Sequence, residues 1–345
     1  MPLFSRPWPF RSKAPQDDAR FGFAVVGLGH GAIKFLEALR SSPSVRVSAL
    51  VSGDSHKANR LAHSFHVPST YTYAEMDRLI DDPAVQAVYL CVPNALHREF
   101  TERAARAGKH ILCEKPMAAT VNDCHAMITA CRAADRLLMI GYRTQFSSVH
   151  EHARALIQSG VLGQVQTVRS GFGFHAKAGW RLDPKLAGGG SLYDVGVYPI
   201  HSLQHLLGEP FTIDRASLLP DPQTGLEMTA SWQGTLKSGA TITFQSSYLE
   251  KIPDFFEVQA ERATLLLKPA FAYEGLHLQV RARDRSHRRE LDRNFRTPRN
   301  EPSTFRLEAE HLAHCVNTGA EVLTPGASGL RDMQIIQAIE TAASR

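Results

Sequence analysis

The chain is poor in cysteine, and none of its five cysteines shares a C-x-x-C spacing with another. Cys91, Cys113, Cys124, Cys131 and Cys315 are scattered and odd in number, which argues against a disulfide framework. Reduced, mostly buried thiols are expected instead, and with them a cytoplasmic protein. Long apolar runs are missing too: none approaches the roughly 18 residues of a membrane span, so no membrane association is expected. The opening MPLFSRPWPFRSKAPQDDAR has no apolar h-region, no small-residue cleavage site and no twin arginine. No secretory leader is therefore expected. Charge of one sign is not in large excess. A net charge of +5 and a pI near 9.0 suit an anionic ligand but are too mild to argue for nucleic acid. There is no H-E-x-x-H. His201 and His205 have i, i+4 spacing but no evident third ligand, so no metal is expected.

What is present fits a folded chain of two domains. A length of 345 residues allows two cores, and 43% hydrophobic with 21% charged residues is ordinary for a globular protein. Residues 1–20 read as a Pro-rich arm, because Pro2, Pro7, Pro9 and Pro15 oppose helix. Phe4, Trp8 and Phe10 lie outside any periodic element, so the arm is either a disordered tail or a segment docked on a neighbouring surface such as another subunit.

From residue 21 to 143 strand and helix patterns alternate. Strands are expected at Phe23–Val26, Val45–Val51, Ala87–Cys91, His110–Cys113 and Leu137–Ile140. Helices are expected after the first glycines, at Ser55–Phe65, in a polar stretch after Tyr71, from Leu96 to Gly108, and from Thr120 to Ala133. That alternation implies α/β architecture, a Rossmann-type doubly wound parallel sheet. Residues 144–345 change character. A helix at Val149–Gln158 and a strand at Val165–Phe174 lead to Gly188-Gly189-Gly190, then to a helix from Ser191 to Leu207. Hairpins follow at 228–249 and 255–267, and two helices close the chain. This predicts an α+β domain with a large open, mostly antiparallel sheet. The Arg-rich stretch Arg281–Arg299 is read as a solvated strand edge or a subunit contact, with no nucleic-acid motif around it.

The chemistry starts at the first strand. Gly27-Leu28-Gly29-His30-Gly31-Ala32 fits G-x-G-x-x-A between a strand and a helix, the context in which this fingerprint binds a dinucleotide. Gly27 permits the tight turn, and Gly29 lets backbone approach a pyrophosphate on the helix N-terminus. Alone the motif is weak, since glycines also end strands. An NAD-binding sheet places Asp or Glu at the end of the second strand. Ser52 stands there here, and Lys57 follows on the next helix, which favours NADP(H). Asp54 is close enough to serve the ribose hydroxyls.

Ligands of such sheets bind beyond the strands' carboxyl ends. Two loops lie there: Val92-Pro93-Asn94 with His97, and Glu114-Lys115-Pro116. In the second half, Asp194 and Tyr198 are i, i+4 on one helical face, and His201 and His205 extend the stripe.

GLGHGA, ALVSGDSHK, VPNALH, EKP, IGYR, WR, AGGGS and DVGVY, in this order, resemble the glucose–fructose oxidoreductase/inositol dehydrogenase (Gfo/Idh/MocA) family. The likeness runs from about Phe21 to the C-terminus. It is strongest to the glucose–fructose oxidoreductase branch with its aldose–aldose oxidoreductase relatives. The resemblance implies that Lys115, Asp194 and Tyr198 are the catalytic set. Tyr198 is then the general acid/base on the sugar oxygen, Lys115 the cation that assists it, and Asp194 the residue that orients substrate. An unperturbed tyrosine titrates near ~10, so a cation is needed beside it. The resemblance further implies that Val92, Pro93, Asn94, His97, Glu114, Arg143, Trp180 and Arg181 line the cleft, with Tyr142 and His201 near the substrate. Ser52 and Lys57 match the NADP-binding positions. Many inositol-dehydrogenase-like members carry histidine where Tyr198 stands, so inositol is not the expected substrate. The arm is reminiscent of one that embraces a neighbouring subunit in the glucose–fructose enzyme.

The expected activity is oxidation of an aldose at C1, coupled to reduction of a second sugar through tightly bound NADP, in a homo-oligomer (dimer or tetramer). One rival is a D-xylose/dihydrodiol-type dehydrogenase with exchanging NADP(H). Another, from a different class, is a nucleotide-binding regulator without turnover.

Overall fold

The computed structural model describes residues 19–345. The expectation of an arm over residues 1–20 falls almost wholly outside them. β1 (Phe21–Val26) is buried along its whole length, as a central parallel strand is. α1 (His30–Leu39), β2 (Val45–Ser52), α2 (Ser55–Phe65), β3 (Ser69–Thr72), β4 (Ala87–Leu90), α3 (His97–Arg106), β5 (His110–Glu114), α4 (Val121–Ala133) and β6 (Leu138–Gly141) follow. The six strands pair in parallel in the order β3-β2-β1-β4-β5-β6. Strand order therefore reverses between β1 and β4, and a crevice opens there beyond the strands' carboxyl ends. The polar helix expected after Tyr71 is a single 3-10 segment, Met76–Asp81, behind the short strand β3. Only Met76 and Leu79 are buried in it, too narrow an apolar stripe to hold a longer helix.

α5 (Ser148–Gln158), β7 (Val165–Gly173), the short α6 (Pro184–Ala187) and α7 (Val197–Leu207) begin the second half. The helix expected from Ser191 opens with a π-helical turn, Leu192–Gly196. Then come β8 (Phe211–Pro220), β9 (Glu227–Leu236), β10 (Thr241–Ser247), β11 (Phe255–Ala260), β12 (Ala263–Leu267), β13 (His277–Ala282), α8 (Arg288–Leu291) and β14 (Arg293–Arg296). Eight strands form one sheet, β14-β13-β12-β11-β7-β10-β9-β8. Only β7 and β10 pair in parallel. Alternation fixes the faces: Ile242 and Phe244 are buried, while Thr241, Thr243 and Gln245 point out to solvent. The Arg-rich stretch does form a sheet edge, β14 and the turn before it.

α9 (Thr304–Thr318) and α10 (Gly326–Ala343) follow the large sheet and return toward the first half of the chain. α9 returns to the parallel sheet and packs on α1, β2 and β5. Its Phe305, Leu307, Leu312 and Ala313 share a core with Phe21, Phe35 and Leu36. Thr324 and Pro325 then add a short rung to β6, and α10 lies against α4, α7 and β8. No described helix is long and apolar enough to cross a membrane.

Candidate active site

A cleft of about 640 Å³ runs from the glycine loop across β4 and β5 to α7 and the large sheet. Gly27 to Gly31 form one end. Gly27 has φ +84, and a Cβ there would stand 2.5 Å from the Cys91 carbonyl oxygen, so the turn requires glycine. A Cβ at Gly29 would meet nothing within 4 Å and would stand in open space. Gly29 also begins α1, which has no side-chain cap at that end. Bare amides over an open cradle fit a pyrophosphate, so the residues present suit a dinucleotide. Ala32 is fully buried beneath the loop and does not reach the cleft.

Ser52 and Lys57 lie outside the cleft lining. Ser52 ends β2, and its hydroxyl accepts the Asp54 amide at 3.1 Å. Asp54 in turn accepts the Lys57 amide at 2.9 Å and starts α2. Tyr73 lines the cleft on this side and would crowd a Cβ at Gly53 at 3.3 Å. Val92, Pro93 and Asn94 form the facing wall. Asn94 donates its amide to the Ala187 carbonyl at 2.9 Å, tying that wall to α6. His97 is wholly buried, with its ring nitrogens 2.9 Å from the Pro116 carbonyl and 3.0 Å from that of Val92. Burial lowers its pKa below the usual histidine value against the pull of these two carbonyls, and the ring bridges the loops that carry them.

The chemistry gathers at the centre. Lys115 Nζ donates to the Asp194 carbonyl at 2.6 Å and to Asp194 Oδ1 at 3.3 Å. The same nitrogen sits 4.5 Å from the centroid of the Tyr198 ring. Burial opposes the lysine charge, but Tyr198, Asp194 and Glu114 outweigh it, so Lys115 holds its proton more firmly than an ordinary lysine. Arg181 Nε donates to Asp194 Oδ2 at 2.6 Å, and the Tyr248 hydroxyl donates to that oxygen at 3.0 Å. Burial alone would raise the Asp194 pKa; Lys115, Arg181 and Tyr248 hold it below the usual carboxylate range. Glu114 accepts the Tyr89 hydroxyl at 2.6 Å at the floor of the cleft. Arg143 is buried and donates to the Phe271 and Ala272 carbonyls, so it anchors that loop. Its guanidinium lies 5.4 Å from the Tyr198 ring and 4.9 Å from that of Tyr273.

Trp180 and Arg181 stand at the far end with Phe172, Phe174 and Phe271. Phe172, Phe174 and Phe271, with Tyr248, Asp254 and Tyr273, were not expected from the sequence. They come from strand ends and loops whose meeting depends on how the large sheet folds over α7. Two expected substrate residues are elsewhere. Tyr142 and His201 stack on each other, 3.5 Å between centroids and 4° apart, outside the cleft lining. His201 Nδ1 is 2.9 Å from Asp332 Oδ2 on α10, and its Nε2 is 2.7 Å from the Gln145 amide. One turn beyond Tyr198 the helix has rotated away from the cleft and faces α10. His205 likewise meets Glu151 on α5, at 2.8 Å, so the polar stripe leaves the cleft after Tyr198. Among the described residues no group of three or more His, Cys, Asp or Glu is placed to hold a metal ion.

A glycine-turned parallel sheet, with a lysine at one strand end set against a carboxylate and a tyrosine from the second half, fits a dinucleotide-dependent oxidoreductase. Residues 21–142 match the oxidoreductase family with an NAD-binding Rossmann fold, and residues 150–266 match the GFO/IDH/MocA C-terminal domain. The chain belongs to this family. It is 36% identical to an aldose–aldose oxidoreductase from Caulobacter crescentus solved with glycerol, over 94% of this chain and 98% of that one, with a TM-score of 0.87. It is 30% identical to D-xylose 1-dehydrogenase (NADP(+)) 2 of Haloferax volcanii, over 92% of this chain and 95% of that protein. A D-xylose 1-dehydrogenase [NADP(+)] of Haloarcula marismortui is 28% identical over 92% and 89%.

Proposed function

We propose that the protein oxidises an aldose at C1 and reduces a second sugar through one NADP(H) that stays bound. The observation that carries this reading is Lys115, bonded to Asp194 and set against the Tyr198 ring, facing the bare end of α1 within one cleft. The cofactor is NADP(H). When it is bound, the amides of the Gly27–Gly31 loop would hold its pyrophosphate, Val92 to Asn94 would flank its nicotinamide side, and Ser52 and Lys57, just beyond the cleft lining, would receive its 2′-phosphate. Bound NADP(H) supplies the hydride acceptor and donor. Tyr198 takes the proton from the sugar hydroxyl through its phenol oxygen and returns it to the carbonyl oxygen of the second sugar. Lys115 keeps its charge and meets the negative charge that develops on that oxygen. Asp194, fixed from three sides, accepts from a neighbouring sugar hydroxyl and orients the ring. Similarity to the D-xylose 1-dehydrogenases favours a second reading, a dehydrogenase whose NADP(H) exchanges. The homo-oligomer remains part of the proposal, formed across the uncovered face of the large sheet.

The test begins with freshly purified protein and no added cofactor. Nucleotide released on denaturation is identified, and glucose, xylose and fructose are added in turn while absorbance is followed. Stoichiometric NADP(H) that one sugar reduces and another reoxidises is the expected result. Turnover only with added NADP(H) supports the exchanging dehydrogenase. Bound nucleotide that no sugar changes favours the silent regulator. In the same assay Tyr198→Phe should lower hydride transfer by on the order of 10²–10⁴-fold. Its NADP(H) affinity should stay within about twofold; surviving turnover overturns the acid/base role of Tyr198.

A further inference from the structure

We propose that Glu227 is a positioning residue that sets Asp194 and Tyr198 by holding the amides at the start of their helix. The proposal rests on the function argued above. Glu227 is the first residue of β9 and only 8% exposed. Its Oε2 accepts the Gly190 amide at 2.5 Å and its Oε1 accepts the Leu192 amide at 2.6 Å. The helix start supplies no side-chain cap of its own, and the Ser191 hydroxyl is 3.1 Å from that of Ser246 instead. Two of the amides that every helix start leaves unpaired are thus met by one carboxylate from the sheet. The link to the site is direct, because the Gly190 carbonyl accepts the Asp194 amide at 3.1 Å. Gly190 is fixed by Glu227 on one side and fixes Asp194 on the other.

The neighbouring strand end completes the clamp. Tyr248 donates its amide to the Met228 carbonyl at 2.7 Å and its hydroxyl to Asp194 Oδ2. Adjacent strand ends therefore hold Asp194 through its backbone and through its side chain. The titratable groups around Glu227 are Glu340 on α10, Tyr193 on the capped helix and Tyr248. Tyr193 donates its hydroxyl to Glu340 at 2.9 Å. Burial, and then the charge of Glu340, push the Glu227 carboxyl up against the pull of its two amides, to about 7. The ionised carboxylate accepts both amides; protonation turns one oxygen into a donor and frees one amide at the start of the helix, a local loss that relief of the buried charge's desolvation outweighs in overall stability.

The test is the pH profile of kcat for wild type, E227Q and E340Q. Wild type should lose activity on the acid side of about pH 7. E227Q should lose that limb, lower kcat between about 10- and 100-fold, and leave NADP(H) affinity unchanged. E340Q leaves the two amide bonds in place, so it should keep the maximal kcat and move the limb to lower pH. Wild-type kcat in E227Q, or a limb that neither variant moves, overturns the proposal. If E227Q does not fold, E340Q carries the test. Thermal unfolding against pH separates this proposal from the function. The folded carboxyl titrates above the ordinary 4.5, so its contribution to stability is full below that value and is lost as pH rises through about 7. E227Q should lack that slope. Wild type that turns over no sugar overturns the function alone; a slope shared by wild type and E227Q overturns the cap.

Discussion

Asp194 is a buried carboxylate with three partners, and its charge is worth most where it is least hydrated. Lys115 and Arg181 flank it, and Tyr248 completes its second oxygen. Replacing it with asparagine leaves two cations facing an amide, which should cost about 3–5 kcal/mol. The cost has a pH signature. The folded-state pKa is depressed, so the carboxylate's contribution is present above the unfolded value of about 3.9 and lost as pH falls through the lower folded value. Denaturant midpoints of wild type and Asp194→Asn should therefore differ fully near neutrality and converge in acid. A gap that does not shrink at all as pH is lowered beneath the unfolded value would show that shape, not charge, sets the cost. Of the three partners, Lys115 was legible in the sequence, because a lysine after a parallel strand points into the crevice. Arg181 was legible as a cleft residue but not as a ligand of Asp194. Tyr248 was not legible: it follows directly after β10, and no local pattern says which helix a strand end meets.

Gly29 and Gly190 look alike in sequence and do opposite work in their elements. A methyl group at Gly29 would touch no protein atom within 4 Å, whereas at Gly190 it would lie 1.8 Å from the Glu227 carbonyl oxygen. Gly29→Ala should leave the melting temperature of the nucleotide-free protein unchanged and weaken NADP(H) binding by at least about tenfold, since one methyl in place of close backbone approach costs a kcal/mol or more. Gly190→Ala should lower stability by about 1–3 kcal/mol or more and reduce kcat, with nucleotide affinity kept. Differential scanning fluorimetry beside a nucleotide titration separates the two; identical behaviour of the variants would remove the distinction. Most of the parallel sheet was readable because its inner strands are buried apolar runs separated by helical patterns, so period and turn residues carry the information, whereas the polar edge strand β3 has no buried residue to announce it. The π-helical turn was not readable. It follows from contacts of Gly190 and Leu192 with a strand 35 residues away, and the sequence between them reads as ordinary helix.

At the scale of the whole molecule, the division between the two halves is not a cut in the chain. Residue 143 is where the alternating pattern stops, and that pattern invited a boundary there. The parallel sheet is nonetheless unfinished at that point, because α9 covers part of one face. Phe305, Leu307 and Leu312 are at most 7% exposed. At about 1.5–3 kcal/mol for each large side chain, they contribute roughly 5–9 kcal/mol. That is comparable with the whole stability of a typical domain, about 5–15 kcal/mol. The first half alone therefore lacks a term as large as its margin. A fragment of residues 19–143 should not melt cooperatively and should bind apolar dye. The same fragment joined through a flexible linker to residues 304–318 should recover a cooperative transition, read by circular dichroism. Cooperative melting of the short fragment at the temperature of the linked one would show that α9 covers the sheet without stabilising it. The arrangement also bears on the cleft, since Phe305 of α9 lines it beside the glycine loop and its ring lies 5.5 Å from that of Tyr273 in the second half. The helix that finishes the nucleotide domain thus also touches the loop that Arg143 anchors, and the linked fragment, which lacks that loop, should bind NADP(H) more weakly than the intact chain.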